Sequence, residues 1–508
     1  MKQGDDPPPV NRIVIVGGGT AGWMTAAGLA SMLGCAGLEI TLVESEAIGI
    51  VGVGEATLPH IRQFNQTIGV DEAEFMAATS ATFKLGIEFV DWARKGDSYI
   101  HPFGDFGLPN EGVAFHQYWR KFAGDEPVGP LDEYSLPVVA SRLGRFEPPS
   151  EDPRSVLSTY RYAYQFDALQ YAPFMRRHAE ARGVTRIEGK FISVEQHAER
   201  GDIASITLED GQKIDGDLFI DCTGFFGLLI EQTLKAGYDS WTEWLPCDRA
   251  IAVPCASSGP LLPYTRATAD TAGWRWRIPL QHRTGNGYVY SSGFTDDETA
   301  HAALVDNLEG EPLAEARLLK FVTGKRRKLW HRNCIAIGLA GGFLEPLEST
   351  SIYLIQEGIT KLLELFPVHA GFAIERDEYN RRMDLEFERI RDFLILHYHA
   401  TERDDSGFWD HMRTMDVPDS LKEKLELFKA HGHVARYDHG LFLVPSWVAV
   451  LIGQRVMPEG YDGRVDRIPD AEVRRHLLGL KAHMHKAASA LTAHQDYIMS
   501  HDMARSAA

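Results

Sequence analysis

Two stretches of this sequence carry residues whose types and spacing could do chemistry. Gly17, Gly19 and Gly22 satisfy G-x-G-x-x-G directly after the apolar run Arg12–Val16. In such a pattern the first glycine permits a tight turn, the second admits a pyrophosphate to the backbone, and the third lets a helix pack on the strand. Thr20 and Ala21 complete the turn, where free amides at a helix start attract phosphate. Glu44 ends the next apolar run and could hold ribose hydroxyls. The second stretch is Leu344-Glu-Pro-Leu-Glu-Ser-Thr-Ser351. Its carboxylates, Glu345 and Glu348, could accept a proton or simply cap the helix that follows. Spacing does not choose between them. Ser349, Thr350 and Ser351 open that helix, where backbone amides make a natural anion site.

The elements that must position these groups follow from hydrophobic periodicity. A strand Arg12–Val16, a helix Trp23–Leu33 and a strand Leu38–Val43 make a βαβ dinucleotide-binding opening. Alternating Phe83, Leu85, Ile87 and Phe89 predict one strand over 84–90, with Lys84 and Gly86 on its other face. Residues 97–153, rich in Gly, Pro and aromatics, read as loops around a site. Residues 166–182 read as a helix, 184–220 as a β-meander, and 334–338 as a buried strand. Ile352, Ile355, Ile359 and Leu362 keep helical spacing up to Pro367, and the chain beyond Glu375 is mostly helical.

Asp215-Gly-Asp-Leu-Phe-Ile-Asp-Cys-Thr-Gly224 resembles the strand-plus-glycine element of flavoproteins of the glutathione-reductase type. Asn333-Cys-Ile-Ala-Ile-Gly-Leu-Ala340 resembles their later flavin-contacting strand, which places Gly338 at the cofactor. The cofactor this implies is FAD, and no cysteine or histidine stands in a covalent-flavin motif. No second G-x-G-x-x-G separates the two elements, so reduced flavin must come from a separate NAD(P)H-dependent reductase. The expected fold is therefore α/β: a Rossmann-like FAD-binding framework with inserted substrate segments and a mostly helical C-terminal region. The expected divisions are a disordered tail over 1–11, a discontinuous FAD-binding domain over 12–375 and a helical region over 376–508 completing the substrate site.

Bulk properties narrow the partners. The formal charge of −19 gives no global basic field for nucleic acid or anionic lipid. Five scattered cysteines without CxxC fit a reducing cytosol and offer no metal site. No apolar run reaches the length of a membrane span.

Three further segments resemble flavin-dependent halogenases of the tryptophan halogenase family. Gly273-Trp-Arg-Trp-Arg-Ile-Pro279 contains W-x-W-x-I-P at Trp274, Trp276, Ile278 and Pro279. Gly52-Val-Gly-Glu-Ala-Thr57 matches the glycine-rich flavin strap, through Gly52, Gly54, Glu55, Ala56 and Thr57. Leu344–Thr350 matches the segment with the family's glutamate, which falls on Glu348. The resemblance implies an enzyme that converts chloride or bromide to hypohalous acid with reduced FAD and oxygen, then halogenates an electron-rich aromatic. It casts Lys84 as the group that holds the hypohalous acid, although read alone Lys84 is a solvated charge. It places halide at Ser349–Ser351, with Ser351 where free-tryptophan halogenases have glycine. It makes the two tryptophans a wall between flavin and substrate; read alone they are core aromatics. His101, Pro102 and Phe103 match a segment that sandwiches an indole, and Trp447 supplies another wall. The resemblance leaves room for a homodimer. The tyrosine pair and glutamate that grip free tryptophan have no counterpart in Arg436–Trp447, so an indole, a phenol or a larger tryptophan-bearing molecule competes as substrate. A flavin-dependent hydroxylase and a non-catalytic FAD-binding redox sensor are the alternatives; Lys84 with Trp274 and Trp276 argues against the first, and retention of the lysine–glutamate pair against the second.

Overall fold

A computed structural model describes residues 9–34, 37–48, 54–367, 371–435 and 440–506. Its first sheet runs in the order Trp330–His331, Cys334–Ala336, Leu218–Asp221, Arg12–Val16, Glu39–Glu44, Thr185–Glu188. All neighbours are parallel except the edge hairpin at Trp330–His331. A parallel sheet is covered on both faces, so its central strand is apolar and buried from Ile13 to Val16. Ile13 and Ile15 enter the main core, while Val14 and Val16 enter a second core built with the meander. On the first face helix Thr20–Leu33 packs against helices Ala168–Glu180 and Thr350–Glu364. On the second lies the antiparallel meander Phe191–Gln196, Ile203–Leu208, Lys213–Asp215.

A seven-stranded sheet carries the inserted segments, in the order Arg317–Lys320, Arg249–Cys255, Thr284–Tyr290, Gly273–Pro279, Thr265–Asp270, Gly86–Val90, Ser98–Pro102. A three-stranded sheet beside it joins Gly54–Ala56, Ala163–Asp167 and Thr82–Lys84. The chain from Ala373 onward is largely helical, and its end returns as Thr492–Ala493 paired with Arg145–Phe146. Among the described residues, no helix is long and apolar enough to cross a membrane.

Several expected elements change. The strand expected over 84–90 breaks at Leu85, because Thr82–Lys84 pairs with Ala163–Asp167 while Gly86–Val90 joins the larger sheet. Alternation continued across the break and hid it. The meander loses both ends to the parallel sheet, since Leu218–Asp221 is buried on both faces and Thr185–Glu188 pairs beside Glu39–Glu44. The helix expected from residue 166 begins at Ala168, after Asp167 caps it by accepting the Leu169 amide. The loop region 97–153 contains strand Ser98–Pro102 and helices Phe115–Lys121 and Leu136–Arg142, whose aromatic and apolar side chains are buried. Of the tail expected over 1–11, residues 1–8 lie outside the described residues; Val10 is buried, and the Asn11 amide donates to Asp217. Helix Ala373–His399 runs through the division expected at 375/376.

Asp221 fixes the crossover out of the parallel sheet. One carboxylate oxygen accepts the Thr223 amide and hydroxyl, and the other accepts the Leu229 and Ile230 amides at 2.8 Å each. Asp221→Ala strands these buried donors. It is expected to lower unfolding free energy by about 3 kcal/mol, read as an earlier urea midpoint at unchanged slope.

Candidate active site

The glycine turn has the shape of a phosphate cradle. Gly17 has φ +112°, and a Cβ there would sit 2.3 Å from the Cys222 carbonyl oxygen. A Cβ on Gly22 would sit 1.8 Å from the Gly17 carbonyl oxygen. These two positions are closed by the protein itself. Gly19 is the open one, where a Cβ would meet nothing within 4 Å. It also caps helix Thr20–Leu33 without a side-chain hydrogen bond, so the amides around Thr20 and Ala21 face outward for an anion. Gly338, φ +74°, brings the later turn against Ala21. Glu44 accepts the Trp23 indole N–H at 3.1 Å and an Arg186 N–H at 2.5 Å. Gly18, which no motif position singled out, lies so close to Glu44 that a Cβ would be 1.6 Å from its Oε2. This set fits the adenosine–pyrophosphate half of FAD.

The strap meets the tryptophan strand. Gly52 lies outside the described residues. Gly54–Ala56 pairs with Ala163–Asp167, Glu55 lying opposite Phe166. Gly54 is packed against Gly285, and Ala56 clusters with Ile278, Leu280 and Trp276. On strand Gly273–Pro279, the Trp274 and Trp276 rings lie 6.2 Å apart. Trp276 covers Gly287, where a Cβ would reach within 2.0 Å of the ring. The Pro279 carbonyl accepts the Thr82 hydroxyl at 2.8 Å, which ties this strand to the one bearing Lys84.

Lys84 is fully buried rather than solvated. Its Nζ donates to the Thr57 carbonyl at 3.1 Å and to Ser349 Oγ at 2.9 Å, and stands 5.2 Å from the Phe103 ring centroid. Burial pushes its pKa down to about 7, against the opposing pull of Glu348. Ser349 adopts the left-handed conformation, φ 58°, between the short turn Pro346–Glu348 and helix Thr350–Glu364. Such strain in a non-glycine residue persists where its surroundings hold it. The Thr350 hydroxyl beside it is buried without a partner among the described residues, and Ser351 is half-buried in the first turn.

The two carboxylates part company. Glu345 Oε2 accepts the Trp274 indole N–H at 2.9 Å and the Tyr398 hydroxyl at 2.6 Å. Burial pushes its carboxyl up to about 7. It braces the tryptophan strand. Glu348 faces the other way: His101 Nδ1 lies 2.9 Å from both its oxygens, and His397 Nε2 lies 2.8 Å from Oε1. Burial alone would raise this carboxyl too, but the imidazoles outweigh it and hold Glu348 below the usual carboxylate range.

His101 is thus committed to Glu348, with its ring 5.7 Å from Phe393 and 6.1 Å from Phe442. Trp447 joins the same cluster, 5.2 Å from Phe393, which stacks on Phe442 at 3.9 Å. Ile390, Leu441, Phe442 and Trp447 border a narrow cavity there. Pro102 pairs with Gly86 at the end of its strand, and Phe103 lies on the Lys84 side. Residues 436–439, in the segment compared with the tryptophan grip, lie outside the described residues. Sequence reasoning missed Phe393, His397, Tyr398 and Phe442. The only available signal was Phe393 and His397 at i, i+4 on one helix, which is also core spacing.

With this geometry in place, comparison with known proteins is decisive. The family model described as Tryptophan halogenase matches residues 12–470. The chain belongs to the tryptophan halogenase family. Tryptophan 6-halogenase SttH of Streptomyces toxytricini is 36% identical over 475 residues, covering 87% of this halogenase and 89% of SttH. Xcc4156, a flavin-dependent halogenase from Xanthomonas campestris, is 46% identical with a TM-score of 0.93, over 97% of this chain and 98% of its own. BrvH, a flavin-dependent halogenase from Brevundimonas sp. BAL3, is 43% identical with a TM-score of 0.94, over 97% of this chain and all of its own. The halogenase is therefore an enzyme with the FAD-binding, Rossmann-like fold of its relatives, and membership implies use of FAD and halide.

The buried lysine has a measurable signature. Its pKa falls from 10.5 unfolded to about 7 folded. Burying it therefore costs little above pH 10.5, costs progressively more as pH falls toward 7, and costs its full amount below 7. Lys84→Met removes that pH-dependent part. The stability of Lys84→Met relative to the parent is expected to be greatest below pH 7 and to decline steadily toward pH 10.5, in urea titrations at a series of pH values.

Proposed function

We propose that this halogenase takes reduced FAD, noncovalently, from a separate NAD(P)H-dependent reductase and installs chlorine or bromine on an electron-rich, indole-like arene. The observation that carries this reading is Lys84, buried between the strap carbonyl of Thr57 and the Ser349 turn, beside Glu348. Reduced FAD, when bound, supplies the electrons with which oxygen converts halide to hypohalous acid. Gly17, Gly19, Gly22 and Glu44 would hold the dinucleotide, and Gly338 with the strap residues Gly54–Thr57 would flank the flavin. The turn at Ser349–Ser351 offers halide helix-start amides and the unpartnered Thr350 hydroxyl.

Trp274, Trp276, Ile278 and Pro279 stand between the flavin side and the arene. Their strand is packed on the strap and braced by Glu345. Hypohalous acid reaches Lys84, whose ammonium donates to its oxygen. As the arene carbon bonds to halogen, the oxygen–halogen bond breaks and the oxygen leaves as water with the lysine's proton. Glu348 then takes the ring proton, which leaves a neutral aromatic product. His101, Pro102, Phe103 and Trp447 shape the arene side. Since the tyrosine–tyrosine–glutamate grip has no counterpart in Arg436–Trp447, recognition rests on the ring rather than on a free amino-acid backbone. The substrate is indole-like, free or carried on a larger molecule.

The test combines purified protein with FAD, NADH, an unrelated flavin reductase, oxygen and bromide, against indoles and phenols with product mass as readout. A gain of halogen is expected; a gain of oxygen alone would identify a hydroxylase. FAD should bind more tightly than FMN, and NADH without the reductase should leave the flavin oxidised. Lys84→Ala should cut arene halogenation by about 100-fold or more while FAD binding and flavin reoxidation persist, because it removes the group that holds the electrophile and none that makes it. Glu348→Gln should lower halogenation by about 100-fold with flavin reoxidation likewise retained. Lys84→Ala turning over at the parent rate would overturn the lysine's role.

A further inference from the structure

Lys84 and Glu348 are both buried and act electrostatically on one another, yet they are held by different partners. A buried ammonium and carboxylate this near in the fold gain by closing on one another. Here Lys84 donates to Thr57 and Ser349, while Glu348 turns its carboxylate toward His101 and His397. His397 is fixed from every side. Its Nδ1 donates to the Phe393 carbonyl at 2.8 Å, and its own carbonyl accepts the Gln454 amide at 2.7 Å. Its ring packs among Phe89, Trp92 and Phe393 at 4.8, 6.2 and 5.0 Å. Its Nε2 lies 2.8 Å from Glu348 Oε1, an ion-pair contact that requires the imidazolium, since the Nδ1 proton already serves the Phe393 carbonyl.

We propose that His397 is a positioning residue which, with His101, holds the Glu348 carboxylate turned away from Lys84 and so keeps the lysine nitrogen open to the electrophile. This deepens, and rests on, the halogenase reading above. The titratable groups facing Glu348 are His101 and Tyr99 from strand Ser98–Pro102, His397 from the long helix, and Lys84 from strand Thr82–Lys84. Removing His397 leaves Glu348 ionised by its contact with His101 but less compensated. Its charge then acts more strongly on Lys84, which keeps its proton to higher pH.

The experiment follows the Lys84 side-chain signal by NMR in full-length protein carrying 13Cε-lysine, the signal being assigned by its loss in Lys84→Arg. In His397→Leu, Lys84 should retain its proton to a pH about one to two units higher than in the parent. His397→Gln, whose amide can still donate to Oε1, should return the titration toward the parent's. In His397→Leu combined with Glu348→Gln, the upward shift should vanish. Should His397→Leu fail to fold, His397→Phe restores the ring volume and carries the same expectation. An unchanged Lys84 titration in a folded His397 variant, or an upward shift that survives Glu348→Gln, would overturn the proposal. The NMR readout needs no product, so failure of the parent protein to halogenate any arene counts against the functional reading alone.

Discussion

The hydrogen bond from Lys84 to Ser349 is the contact on which the site depends. It joins a strand near the start of the chain to a helix start 265 residues later. An ammonium can be placed in a closed interior only if acceptors meet it there. The Thr57 carbonyl and the Ser349 hydroxyl do so, and each is itself held, Thr57 by the Tyr164 carbonyl and Ser349 by the turn after Pro346. The left-handed backbone at Ser349 aims its hydroxyl back at the lysine while the following amides start a helix. One strained residue thus serves both the lysine and the anion-binding turn.

Around that contact, three of the sheets divide the labour. The parallel sheet presents the glycine cradle at the carboxyl end of its central strand, where open α/β sheets bind ligands. The small sheet carries the strap and Lys84 on its two outer strands, both paired to Ala163–Asp167. The large sheet supplies the tryptophan strand at its centre and His101 at its edge. The break at Leu85 lets consecutive residues serve two sheets. Lys84 can therefore reach the Ser349 turn while Gly86–Val90 leads to the aromatic cluster.

The carboxylates three residues apart illustrate how environment assigns roles. Both are buried, and both would be neutral if burial acted alone. Glu345 meets an indole and a phenol, neutral donors that leave its pKa near 7, so it acts as a brace. Glu348 meets two imidazoles and is held ionised, the state a proton acceptor requires.

The sequence alone determined the family and the local chemistry: the glycine turn with its strand and helix, the strap, W-x-W-x-I-P and the helix start at Ser349. These are local because each depends on backbone conformations or periodicities spanning a few residues. It also contained Lys84, but could not say that the lysine is buried, since burial is set by residues far away in the chain. The resemblance pointed to Glu348, but spacing by itself did not choose between it and Glu345: both fit the same capping pattern, and in the fold Trp274, Tyr398, His101 and His397 separate them. The strand break at Leu85 was masked by unbroken alternation. His397 left no motif, because a histidine on a helix face reads as any other until the fold brings a carboxylate within 2.8 Å of it. Tertiary structure decided these points because hydrogen-bond partners and desolvation are properties of neighbours in space, and here those neighbours come from segments 53 residues apart for Glu345 and Tyr398 and 265 apart for Lys84 and Ser349.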